Sequence, residues 1–581
     1  MTHRWELKKN YDEQAVQLLQ EQLKVHPVIC KLLVQRGIKT FEEARNFFRP
    51  SLDQLHDPFL MQDMEKAVNR INEAIARKEK ILIYGDYDVD GTTAVSVMYL
   101  FLKSLFANAE YYIPDRYTEG YGLSFKGVEY AHDNGFGLII SLDCGIKGHD
   151  KIAKANEYGI DFIICDHHRP SHELPAAFAI LDPKRNDCNY PYKELTGCGV
   201  GFKLVQAIAQ NNNIPFSQLE QYLDLVAVSI AADIVEIKGE NRVLAYFGIK
   251  RLNTAPRPGI KAIIELSKVS RDLTVSDVVF MIAPRINAAG RIESGHRAVE
   301  LLISKDADSA RFKGDEINGH NISRKELDTT ITEQALLQIE NDDSFSIRKS
   351  TVVYHPEWHK GVIGIVASRL TDRYYRPTVV MTQTNGHVSG SARSVKDFDI
   401  YNAIEACADL LDQFGGHMYA AGLTMKAENV EAFKEKFESI VSTTIEERML
   451  VKEIEIDDEL ALSDITPSFF KLLKQFAPFG PGNMNPVFLT RNVRDSGYSR
   501  VVGNNHLKLS ILQPGTNYVY DAIGFQLGNF YPAVATRKPF NVCYHIDENN
   551  FNNKTTLQLN IKDISIPGDE SLLADSDTTT P

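Results

Sequence analysis

The sequence predicts an α/β protein: a parallel sheet with helices on both faces, a long connecting helix, a second α/β segment and a small C-terminal β-barrel. Three observations carry this. Short apolar runs of strand type alternate with helical spacing through residues 61–304, and such alternation means a parallel sheet. Acidic and imidazole groups recur where those runs end. After about residue 452 the pattern changes to short alternating stretches, which suit a barrel. The chain has 581 residues and 43% apolar content, enough for several domains with their own cores.

Taken in order, residues 1–60 read as a helical lead-in, with helical apolar spacing over Ala15 to Val25 and Phe41 to Phe48. Met64 to Lys80 is an amphipathic helix, with Ala67, Val68, Ile71 and Ile75 on one face. The run Ile81 to Tyr84 is a strand, and Ala94 to Leu105 a buried helix. Tyr111 to Pro114, Leu138 to Leu142 and Phe162 to Cys165 are further strands, separated by helices at Phe125 to Asn134 and His149 to Tyr158. Leu223 to Ile230 is an apolar helix running into Asp233. Residues 305–345 are polar, with sparse apolar positions at helical spacing, and read as the connecting helix. The second α/β segment spans 346–450, with strands near 351–354, 377–381 and 386–391. Within it, Ser389 to Ser394 and Phe414-Gly415-Gly416-His417 read as loops, and small residues beside Arg393 can cradle a phosphate.

The barrel is expected over 451–566, from stretches such as Ile454 to Ile456, Val487 to Leu489, His506 to Leu509 and Thr556 to Leu559. Arg491, Arg494, Arg500, Lys508, Arg537 and Lys538 lie among Phe479, Tyr498, Phe525, Phe530 and Tyr531, a mixture that suits single-stranded nucleic acid. Residues 567–581 carry acids without Lys or Arg and are expected to be disordered.

The net charge is -13, a balance that speaks weakly against a nucleic-acid partner, although a sum can hide a basic groove. No run approaches a membrane span, and the polar N-terminus lacks a signal-peptide core. Seven cysteines without a CxxC pair argue against a disulfide framework, so the reading is a soluble cytoplasmic protein.

The chemistry centres on Gly85-Asp86-Tyr87-Asp88-Val89-Asp90-Gly91, where a strand hands over to a helix. Three carboxylates within five residues repel one another, and a divalent cation held by oxygen ligands offsets that repulsion. Two other strands end in Asp143 and in Asp166-His167-His168. Parallel strands present their carboxyl ends along one edge, so these groups converge, as ligands do in open α/β sheets. Carboxylates with imidazoles suit Mn²⁺, Mg²⁺ or Zn²⁺. Asp233 reads locally either as a cap or as a further ligand.

These segments, with Asp143-Cys144-Gly145, resemble the DHH phosphoesterase superfamily, and more closely its RecJ family of bacterial single-strand-specific DNA exonucleases. Pro114 to Leu123, Pro284 to Arg291, His355 to Gly364 and Phe414 to His417 strengthen the match, which runs in order from about residue 5 to 565. The resemblance implies a DHH catalytic domain at 61–304, a DHH-associated domain at 346–450, an OB-fold-like barrel, and an active site between the first two. It implies that Asp88, Asp90, Asp143, His167 and Asp233 hold one or two Mn²⁺ or Mg²⁺ ions, with Asp143 bridging. His168 becomes a phosphate contact or proton donor, and Asp86 and Asp166 orient the ligands. Arg116, Arg291, Ser391 and Arg393 would read a 5′ phosphate, with Gly415, Gly416 and His417 near the scissile one. The implied activity is 5′→3′ hydrolysis of single-stranded DNA to 5′-mononucleotides in recombination and repair. Its implied partners are a single-stranded-DNA-binding protein and a helicase. Rival readings are a DHH phosphodiesterase on nanoRNA or cyclic dinucleotides, which would lack the barrel, and a non-catalytic scaffold, which would lack the ligands.

Overall fold

The computed structural model describes residues 3–384, 386–516, 518–551 and 554–567, so most of the expected acidic tail lies outside the described residues. The chain divides into two compact units. One takes Arg49–Glu326 with Ala477–Met484; the other takes the residues before Arg49, Leu327–Phe476 and those from Asn485 onward.

The first unit is built on a five-stranded, all-parallel sheet. Its strands are β1 (Lys80–Gly85), β2 (Ala109–Tyr112), β3 (Phe136–Leu142), β4 (Asp161–Cys165) and β5 (Ala179–Leu181), in spatial order β2-β1-β3-β4-β5. β1, β3 and β4 are apolar and buried along nearly their whole length, as strands covered on both faces must be. Three central helices are α1 (Val89–Leu105), α2 (Gly197–Asn211) and α3 (Leu223–Ala232). The first half of α1 is buried all round, yet it contains Thr92, Thr93 and Ser96. Each hydroxyl donates to the carbonyl four residues earlier, at 2.6, 2.7 and 2.7 Å, which satisfies it without water. Helix α4 (Ala283–Ile292) follows, and α5 (Ala307–Glu340), the long helix expected from 305–345, starts in this unit and continues past Glu326 into the other.

In the second unit, β6 (Thr351–Tyr354), β7 (Thr378–Thr384), β8 (His387–Arg393), β9 (Gln413–His417) and β10 (Ala420–Lys426) form a mixed sheet in the order β9-β10-β8-β7-β6, with α6 (Ile363–Tyr374) packed beside it. The two stretches read as loops are therefore strands: Ser389 to Arg393 lies in β8 and Phe414 to His417 in β9. Their glycines misled the sequence reading, because here glycine serves close strand packing. A Cβ at Gly390 would meet the Leu423 side chain at 2.8 Å, and one at Gly416 the Ala420 carbonyl at 2.4 Å.

The barrel strands are β11 (Phe488–Asp495), β12 (His506–Leu512), β13 (Val519–Gly524), β14 (Phe540–Phe551) and β15 (Lys554–Ser565). They pair as β11-β14-β15-β13-β12, and β12 returns to β11 through Arg494↔Leu512, which closes a ring of five. Two expectations are corrected here. Glu453–Ile456 is not a barrel strand; it pairs in parallel with an unanticipated strand, Arg4–Leu7, within the lead-in. Trp5 explains why: its ring is buried with Ile456, Leu489 and Cys543, and Nε1 donates to Asp563 at 3.0 Å. Phe479 does not belong with the barrel either. Its segment joins the first unit, where Arg242 donates to the Ala477 carbonyl at 3.0 Å and Ile237 N–H to the Pro481 carbonyl at 2.7 Å.

Candidate metal centre

The carboxyl ends of β1, β3 and β4 deliver the acids and imidazoles to one edge. Asp88 caps α1, accepting from Gly91 N–H at 3.0 Å, so its position is set by the helix it starts. Asp90 points into the first turn of α2. It accepts from Gly197 N–H at 2.7 Å, Cys198 N–H at 2.9 Å and Ser229 Oγ at 2.6 Å, and Thr196 in turn bonds Ser229. A helix N-terminus favours a carboxylate there. Asp143 leaves β3 with φ of 60°, a left-handed turn that Asp tolerates better than most residues. Its backbone crosses Gly197 so closely that a Cβ at 197 would lie 2.5 Å from the Asp143 Cβ.

His167 Nε2 stands 3.2 Å from Asp143, 3.7 Å from Asp233 and 3.8 Å from Asp90. Asp233, left open by the local sequence, caps the carboxyl end of α3 and joins this group. Three overlapping sets each gather ligand atoms within 4.8 Å: Asp86, Asp88 and Asp143; Asp90, His167 and Asp233; Asp143, His167 and His168. The donor chemistry fits a divalent cation. Asp86 Oδ2 and His167 Nδ1 are buried without a hydrogen-bond partner. Burial pushes Asp86, Asp88 and Asp143 above the usual carboxylate range, and neighbouring acids push them further. Burial, then Asp90, raises Asp233 to about 8. Burial lowers His167, leaving the neutral imidazole a metal needs.

Asp166 plays a different part. One oxygen accepts from the N–H groups of His167 and His168, at 2.8 and 3.1 Å, and pairs with His168 Nδ1 at 2.7 Å; the other accepts from Ile146 N–H at 3.0 Å. With both oxygens engaged it orients the His168 imidazole and fixes the backbone at His167. Burial alone would raise it, but the bond and charge of His168 hold it below the usual range. His168, which burial would lower, is carried by Asp166 up to about 9. Its Nε2 lies 3.2 Å from Tyr121 Oη.

Arg116 lies over the Tyr87 ring, 5.0 Å from its centre, and a Cβ at Gly290, next to Arg291, would sit 2.8 Å from the Tyr87 carbonyl. Arg116 thus flanks the loop that carries Asp86 and Asp88, and the turn of α4 that bears Arg291 packs against the same loop. In the second unit, Ser391 and Arg393 occupy one strand, 3.1 Å apart from Oγ to Nη1, against Gly364 near the start of α6. Gly415, Gly416 and His417 follow across β10, where Gly422 is the register partner of both Ser391 and Gly415. Sequence reasoning missed Thr196, Gly197, Cys198, Ser229 and Tyr121. The Thr-Gly-Cys-Gly run at 196–199 carried a signal, a cap residue followed by glycine, but nothing local ties it to Asp90.

Residues 80–230 match the DHH family, N-terminal domain, 348–443 the DHHA1 domain, and 456–563 the RecJ OB domain. The chain is 37% identical over 569 residues to the single-stranded-DNA-specific exonuclease RecJ of Bacillus subtilis (strain 168), covering 97% of this chain and 71% of that protein. The chain belongs to the RecJ family. The RecJ of Escherichia coli (strain K12) is 32% identical, over 93% of this chain and 96% of its own length. Among solved structures, RecJ from Thermus thermophilus in complex with Mn²⁺ aligns with a TM-score of 0.83 at 27% identity, covering 97% of this chain and 80% of that one. A second RecJ structure from that organism is in complex with Mg²⁺. The α/β fold with DHH, DHHA1 and OB domains is thus that of RecJ proteins.

Proposed function

We propose that this chain is a metal-dependent exonuclease that degrades single-stranded DNA from its 5′ end to 5′-mononucleotides. The observation that carries the reading is the convergence of Asp88, Asp90, Asp143, His167 and Asp233 at one sheet edge, in a chain whose relatives are named single-stranded-DNA-specific exonucleases. These five would hold one or two Mn²⁺ or Mg²⁺ ions, with Asp86 offering its unpartnered oxygen to the same site and Asp166 orienting His168. Bound metal supplies charge neutralisation of the phosphodiester and a lowered pKa for water. The protein's own residues do the rest. His168, kept charged by Asp166, donates a proton toward the departing 3′ oxygen. Arg116, Arg291, Ser391, Arg393, Gly415, Gly416 and His417 bind the substrate and select a phosphorylated 5′ end. The barrel binds the strand through basic and aromatic groups: Tyr498 and Phe525 are exposed, and Arg500 stands opposite Lys508 on adjacent strands.

We assign the catalytic domain to 61–304 and the DHH-associated domain to 346–450, as the family implies. A cytoplasmic location, a single-stranded-DNA-binding protein and a helicase as partners follow from the same likeness. Among the described residues no helix is long and apolar enough to cross a membrane, and all seven cysteines are free and buried. The test is digestion of single strands labelled at either end, with Mn²⁺ or with chelator, beside a blunt duplex. The 5′ label should be released first, as mononucleotide, only with metal. Attack from the 3′ end, or equal attack on duplex, overturns the reading.

A further inference from the structure

Lys184 belongs to none of the groups described above; it follows β5, the strand that pairs with β4. β5 ends at Leu181, whose carbonyl accepts from the N–H of Asp166 one strand over at 3.0 Å, and Asp182 follows it. Asp182 is fully buried and accepts from Lys184 N–H at 2.7 Å, which ties Lys184 to the same sheet edge as Asp143 and His167. The next side chain, Arg185, is buried and wholly occupied. It donates to Asp63 at 2.8 Å and to Asp187 at 2.9 and 2.7 Å, bracing the segment. Lys184 itself is partly exposed. Its carboxylate neighbour is Glu194 at 3.1 Å, also partly exposed. A solvent-screened pair of that kind contributes little and gives way readily to a stronger anion.

A cleft of about 650 Å³ opens at this point, lined by residues that include Lys184, Asn186, Asn189 and Lys193. None of its lining residues is acidic, in a chain whose net charge is -13. Its lysine and amide donors lie on the segment that follows β5, at the carboxyl edge of the sheet that also carries Asp143 and His167, and they suit a phosphate chain running along that edge.

We propose that this cleft is a second phosphate subsite of the exonuclease, in which Lys184 contacts a strand phosphate next to the one undergoing hydrolysis and Asn186 and Asn189 donate to the same nucleotide. The proposal rests on the exonuclease reading above and adds a substrate-positioning residue to it. Lysine suits the task as a compact point charge that can follow a moving backbone.

The test compares Lys184→Ala, Lys184→Arg and Glu194→Gln in the full chain. Oligonucleotide binding by anisotropy is measured in chelator, and digestion is measured with Mn²⁺. Lys184→Ala should weaken binding and raise KM about fivefold, with the loss in KM rather than kcat. The slope of log binding constant against log salt should become shallower by about 0.7, one phosphate contact on a single strand. Lys184→Arg should restore binding, and Glu194→Gln, which frees the ammonium, should lower KM. Unchanged binding and salt slope in Lys184→Ala overturn the subsite. So does a shifted Mn²⁺ requirement with unchanged binding, which would make Lys184 a modulator of the metal ligands. If binding responds as expected but wild-type protein digests no single strand, the subsite stands and the exonuclease reading falls.

Discussion

Asp143 leaves its strand in a left-handed turn and is buried with Asp88, Asp90 and Asp233 acting on it. Without metal that placement is unfavourable. Asp143→Asn should therefore lower hydrolysis by about 10²–10³-fold or more, the scale of losing a charge-organising group. Its melting temperature in chelator should equal or exceed that of wild type; a collapse in melting temperature would mark Asp143 as structural. The same electrostatics set a pH dependence. Asp233, raised from 3.8 to about 8, binds its proton more tightly when folded, so its contribution is complete below about 4 and lost as pH rises toward 8. His168, raised from 6.5 to about 9, has the same sign and loses its contribution through about 9. Asp166 and His167 are shifted downward and change little above pH 7. Metal-free protein should melt at progressively lower temperature from pH 7 to 9, and saturating Mn²⁺ should flatten that slope, because metal holds the ligands in their charged or neutral binding forms. A flat profile in chelator would refute this. At the 5′ end, Arg393→Ala should reduce the preference for phosphate over hydroxyl termini about tenfold or more, the value of a charge-assisted contact. An unchanged ratio of rates would remove Arg393 from end recognition.

Helix α2 is the element on which the cluster depends most. Its first two N–H groups hold Asp90, and Gly197 leaves the room that Asp143 occupies. Gly197→Ala places a methyl group 2.5 Å from the Asp143 Cβ, with backbone rather than a flexible tip in the way. The expected cost is about 1–3 kcal/mol of stability from overpacking, with Mn²⁺ affinity falling about tenfold or more by titration calorimetry. Wild-type metal affinity in this variant would mean that α2 supports the sheet but not the ligands. Such a role was illegible locally, because Thr196 to Gly199 reads as an ordinary helix start. The misread loops at Ser389 to Ser394 and Phe414 to His417 have a related cause: glycine signals a turn by default, and only a neighbouring strand reveals that it marks close packing.

Across the whole chain the metal cluster and the barrel lie in different compact units, so chemistry and strand affinity should be separable. Truncation at residue 452 would not test this cleanly, because Glu453–Ile456 pairs with Arg4–Leu7 and the barrel's Asp563 accepts from Trp5. Exposed barrel residues serve better. Tyr498→Ala combined with Phe525→Ala should weaken binding of long single strands by about 1–3 kcal/mol per lost stack while sparing turnover of short ones. Binding of long strands as tight as wild type would give the barrel another task.

The sequence by itself determined the α/β class, the strand ends that carry Asp86 to Asp90, Asp143 and Asp166 to His168, the long helix and the presence of a barrel. Those features are written in local periodicity and in charges placed where apolar runs stop. The tertiary structure decided which acids remain available. It brought Asp233 to His167, engaged both oxygens of Asp166, seated Asp90 on α2, paired the N-terminal strand with Glu453–Ile456, and moved Phe479 away from the barrel. Each of those outcomes depends on a partner distant in sequence, and a hydrogen bond or a steric limit between distant segments leaves no periodic trace in either one.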